Sequence, residues 1–185
     1  MPPLKSDELH ALAREVLGPR VAEWGFKRTP KARRASWTRP EGDKWLTFWF
    51  EPWIRNTPFL AGYRFTVELL LGSEPVVHGL GYDLRLPDLL TESGRTTLRQ
   101  LENRAISKFP PPDMAFANSL DPDTREYLLS AWTPRTSPYE PGEDVWFRQG
   151  DEEDVRLLLD FIASELPGVL ERFRDASKDV GGPPT

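Results

Sequence analysis

Cysteine is missing from all 185 residues, which removes disulfides, thiolate zinc sites, iron–sulfur clusters and a cysteine nucleophile from the chemistry open to the chain. Histidine is nearly as scarce. The two present, His10 and His78, have no second nitrogen ligand three or four residues away, so the helical spacing that builds a zinc site is not met. No metal and no cofactor is expected. Apolar runs are short: none approaches the roughly 18 residues that a membrane span requires. Acids at Asp7 and Glu8 stand where a signal peptide would carry its apolar core. A cytoplasmic location is the resulting expectation. There is no Gly-x-Ser-x-Gly elbow to hold a serine nucleophile. Gly79-Leu80-Gly81-Tyr82 lacks the third glycine and the following helix that dinucleotide binding needs, and reads as a bend.

Net positive charge is lacking too, at −5 overall with a pI near 5.2, which argues against a dedicated nucleic-acid binder. What is plentiful is proline, 19 residues, and tryptophan, seven. Proline stiffens connections, and large aromatics cover large surfaces. The periodic pattern predicts one α+β domain over 6–174, an antiparallel sheet packed against N-terminal and C-terminal helices, with a flexible 1–5 and a disordered tail over 175–185.

Ser6 reads as the N-cap of a helix over 6–24 carrying Leu9, Leu12, Val16, Val21 and Trp24, kinked or split at Gly18-Pro19 and closed by Gly25. Alternation then predicts a hairpin, 35–39 with 44–53 about a turn at Arg39-Pro40-Glu41-Gly42-Asp43. A third strand over 63–71 has one apolar face and one wet or polar-covered face, and a weaker strand is placed at 75–80. Two modest helices, over 95–108 and from Asp121-Pro122 onward, precede a Pro-rich loop over 133–142. A strand over 144–148 leads into the strongest helical pattern, Val155, Leu158, Leu159, Ile162, Leu166, Val169, Leu170 and Phe173, bent or restarted at Pro167. The acidic run Asp151-Glu152-Glu153-Asp154 at its start fits helix capping better than a cation site.

Two features stand above this background. Lys27, Arg28, Lys31, Arg33, Arg34 and Arg39 form a basic stretch free of acids, with Trp37 among them, leaving the rest of the chain at −11. Such a stretch can neutralise phosphates while its aromatic stacks on bases, or it can be a solvated loop that answers the acidic surface. On the long strand, Leu46, Phe48 and Phe50 share one face while Trp45, Trp49 and Trp53 share the other. A central strand buried on both sides explains this plainly. The sharper reading is an exposed indole face that docks a partner or stacks on a ring.

The helix closed by Gly25-Phe26-Lys27-Arg28, a strand around Trp37, the aromatic strand 45–50 and Arg64-Phe65-Thr66-Val67-Glu68-Leu69 together resemble a bacterial family called domain of unknown function 4304, over residues 17–71. The resemblance implies an α+β fold and a small accessory or immunity-type protein, and it carries over no catalytic residue. The leading expectation is therefore a non-enzymatic interaction domain that meets a protein partner through Trp45, Trp49 and Trp53 or the Pro-rich loop. The alternatives are weak nucleic-acid binding by 27–39, and an enzyme with a carboxylate and arginine site around Glu51, Arg64 and Glu68.

Overall fold

The computed structural model describes residues 4–29, 35–52, 64–75, 82–109, 111–130, 132–143, 146–148 and 150–178. In chain order these form α1 (Ser6–Glu23), β1 (Lys27–Arg28), β2 (Ala35–Glu41), β3 (Lys44–Pro52), β4 (Arg64–Gly72), β5 (Tyr82–Arg85), α2 (Leu86–Leu89), α3 (Glu92–Ser107), α4 (Met114–Ala117), α5 (Pro122–Ser130), β6 (Phe147–Arg148) and α6 (Glu152–Lys178). The strands make one antiparallel sheet in the order β1-β2-β3-β4-β5, and β6 also pairs with β4. Along its free side β4 meets β6 at Arg64 and Phe65 and then β5 from Glu68 to Leu71. This is the expected α+β architecture.

Register fixes which side chains share a face, because residues directly opposite on antiparallel strands point the same way. The inner face carries Trp37, Phe48, Leu69 and Leu84 in one row and Ala35, Phe50 and Val67 in the next, with Phe65 beside Phe147. α1, α2 and α6 close over these rows and complete the core with Leu9, Leu12, Leu17, Leu86, Leu158, Leu159, Ile162 and Phe173. Phe48, Phe50, Phe65, Phe147 and Phe173 are wholly buried. Each contributes about 1.5–3 kcal/mol of apolar transfer.

α1 ends as its sequence predicts. Gly25 has φ of 79°, the amide of Phe26 donates to the Val21 carbonyl, and that of Gly25 donates to Ala22, which together close a Schellman motif. The N-cap is Lys5 rather than Ser6, with the Lys5 amide donating to the Glu8 carboxylate at 2.6 Å. The kink expected at Gly18-Pro19 is absent: α1 is one helix, and α6 likewise runs through Pro167. Both prolines lie on exposed sides, where the carbonyl each leaves without a donor is open to water and the apolar stripe opposite stays packed. α6 also continues to Lys178, so 175–178 are helical and only 179–185 of the expected tail lie outside the described residues.

Other differences are local. The strand after β4 is β5 at 82–85, whereas most of the strand placed at 75–80, with His78 and Gly79-Leu80-Gly81, lies outside the described residues. α3 begins at Glu92, where the Thr91 hydroxyl caps the Gly94 amide at 3.1 Å. Of the strand placed at 144–148, Phe147 and Arg148 pair with β4, and 144–145 are not described.

Candidate functional site on the outer face of the sheet

The face of the sheet turned away from α1 and α6 carries the alternate positions. One row crosses all five strands. The Thr29 amide donates to the Ser36 carbonyl at 3.1 Å, extending the β1–β2 ladder by one residue, and Ser36 lies opposite Trp49, Trp49 opposite Glu68, and Glu68 opposite Arg85. Thr38, Thr47, Leu70 and Asp83 form the row on one side, Glu51 and Thr66 the row on the other. The expectation that this side of β4 is wet or covered resolves to covered. Thr66 is 0% exposed, Ser36 1%, Glu68 3% and Trp49 4%.

Within that covered face Glu68 meets Arg85 at 3.4 Å, and the Arg85 guanidinium lies 5.7 Å from the ring centroid of Trp146. Thr29 Oγ1, Ser36 Oγ and Thr66 Oγ1 are buried and have no hydrogen-bond partner among the described residues. Each such hydroxyl costs about 1–3 kcal/mol relative to a satisfied one. Buried polar groups left in that state in native proteins mark a place where water, an ion or a ligand belongs.

The other residues singled out from sequence are dispersed. Trp45 is half-buried opposite Pro40 and Gly72; Trp53 lies outside the described residues, as do Lys31, Arg33 and Arg34. Lys27 and Arg28 are exposed on the edge strand β1. Trp37 does not stack in solvent, because it is in the core, tilted against Phe48 with ring centroids 6.0 Å apart and lying beside Gly18 of α1. Arg39 is not a free cation of the basic stretch either. It is buried, donates to the Trp24 carbonyl at 2.7 Å, pairs with Glu41 at 2.9 Å and covers the Phe26 ring. Burial pulls its guanidinium below the ordinary value, with Glu41 acting in the opposite direction. It holds the end of α1 in place, a helix C-terminus being a favourable seat for a cation.

Two polar clusters away from the outer face are complete in themselves. On α3, buried Glu102 accepts from the Tyr139 hydroxyl and from the amide and Nε of Arg148, at 3.1 and 3.2 Å. Asn103 exchanges two 2.8 Å bonds with the backbone of Arg135, whose guanidinium lies 4.0 Å from the Tyr139 ring centroid and grips Glu143. The Pro-rich loop is thereby fastened down rather than offered as a docking arm. At the start of α6, Asp154 caps with Asp151 and meets Lys108 at 2.9 Å and Arg104 at 3.2 Å, in keeping with the capping role expected of the acidic run. His10 is buried, and its Nδ1 accepts from the Ala35 amide at 3.1 Å.

Sequence reasoning placed Trp49 and Glu68 among its candidates and missed Thr29, Ser36, Thr66 and Arg85. The signal was there in the alternation of Ser36 with Trp37 and of Thr66 with Val67, which assigns these hydroxyls to one face. Comparison with family models, with curated proteins and with solved structures gives no match, so the functional argument rests on this geometry.

Proposed function

We propose that the chain is a binding domain for a small polar molecule held on the outer face of its sheet, beside Trp49 and between the hydroxyls of Ser36 and Thr66. The observation that carries this reading is the pair of unpartnered hydroxyls, buried to 1% and 0%, in a row that also holds an indole and an acid–arginine pair. It replaces the docking-face reading as the preferred one, because Trp49 is covered and offers little to a macromolecular partner. The basic stretch supports nucleic-acid binding only through Lys27 and Arg28, since Trp37 and Arg39 are occupied in the fold.

The test is a thermal-shift panel of D-glucose, myo-inositol, L-glutamate, L-arginine, adenosine and inorganic phosphate. It is run on the wild-type chain and on the Ser36→Val, Thr66→Val double variant. A ligand at a hundredfold excess over its Kd stabilises by about 2.7 kcal/mol, or roughly 5–10 °C for a chain of this size. The expected result is such a shift for at least one probe in the wild type and its loss in the double variant. A shift of equal size in both proteins, or none in the wild type, contradicts the proposal.

A further inference from the structure

Resting on that reading, we infer that the ligand is a neutral polyhydroxylated molecule of monosaccharide size. Three properties of the outer face point there. The first is charge. The two acids on these rows, Glu51 and Glu68, are matched by two bases, Arg64 and Arg85, and Glu68 and Arg85 already meet at 3.4 Å. A net charge brought under cover here would have no surplus opposite charge to balance its desolvation.

The second property is the kind of hydrogen bond available. Thr29, Ser36 and Thr66 each present a hydroxyl without a partner among the described residues, and Thr38 and Thr47 add two more buried hydroxyls in the adjoining row. A hydroxyl both donates and accepts, so an array of them is matched by a ligand whose own groups do both, as alcohols do. Phosphates and carboxylates only accept, and are matched by arginine forks and backbone amides.

The third is the indole. Trp49 stands at the centre of the row between Ser36 and Glu68. An aromatic face amid hydroxyls suits a ring with apolar C–H faces and a polar rim. Strand spacing puts Ser36 and Glu68 about 10 Å apart across Trp49, a span suited to one ring with a hydrogen bond at each side and not to an oligosaccharide.

The experiment is isothermal titration of the full chain with D-glucose, D-galactose, D-ribose and myo-inositol, each set against a charged relative: glucose 6-phosphate, galacturonate, ribose 5-phosphate and inositol monophosphate. The expected result is that at least one neutral compound binds at least tenfold more tightly than its charged relative. Its affinity should also fall at least tenfold in Ser36→Ala, checked for folding by circular dichroism, and in Thr66→Val. A charged relative binding as tightly as the neutral one overturns this inference. If the loss in Thr66→Val is retained in that case, the binding proposal itself stands. Failure of the neutral compounds here and of every probe in the wider panel overturns both.

Discussion

Glu102 and Thr66 are both wholly covered, yet they are held in opposite ways. Glu102 has donors on both oxygens, from Tyr139 and Arg148, as a buried carboxylate must. Thr66 Oγ1 has none among the described residues. The first arrangement serves stability and the second costs it. Burial, and then the nearby Glu102 carboxylate, push the Tyr139 hydroxyl above its ordinary value. The folded chain therefore holds this proton more tightly than the unfolded one, so the contribution is complete below about pH 10 and is lost as pH rises beyond it. We expect Tyr139→Phe to cost about 1.5–3 kcal/mol at pH 8, the worth of a hydrogen bond to a charged group, and to weaken the fall in stability above pH 10. Urea unfolding across that range checks both. Parallel pH profiles for the two proteins would show that Tyr139 takes no part in alkaline unfolding.

Among the elements, α6 shows what packing adds to pattern. Its apolar stripe was legible because eight residues recur at three and four, and its start was legible in Asp151 and Asp154. Its continuity through Pro167 was not, since local preference favours a break and the core rows that hold both halves against the sheet are invisible in sequence. Gly150 gives this element a sharp test. A Cβ there would run into the Asp154 carboxylate and lie 3.3 Å from the Ala105 Cα, while Asp154 is held by Lys108 and Arg104. Gly-to-Ala changes in compatible loops stabilise by under about 1 kcal/mol. Gly150→Ala is expected instead to destabilise by about 1–3 kcal/mol, the cost of overpacking, read as a lower urea midpoint with unchanged slope. A neutral or stabilising result would mean the α3–α6 junction yields readily. The same contrast runs through the sheet. The inner face of β2, β3 and β4 could be read from alternation alone, whereas the cover over the polar positions depends on parts of the chain distant in sequence, so Ser36 and Thr66 passed for surface residues.

Taken whole, the molecule is a sheet with two unlike faces. One is sealed by α1, α2 and α6 with apolar side chains. The other is covered as fully at its centre, yet carries hydroxyls, a carboxylate, an arginine and an indole. Covering polar groups without satisfying them lowers stability, and proteins retain such arrangements where function requires them. The most direct test of this reading is the thermal unfolding of Thr66→Val in the absence of added ligand. Valine keeps the shape and the strand preference of threonine and removes only the hydroxyl. Relief of an unsatisfied group worth about 1 kcal/mol predicts a Tm about 2–4 °C above wild type. A Tm lower by a similar amount would contradict it, because the hydroxyl would then be satisfied within the protein itself.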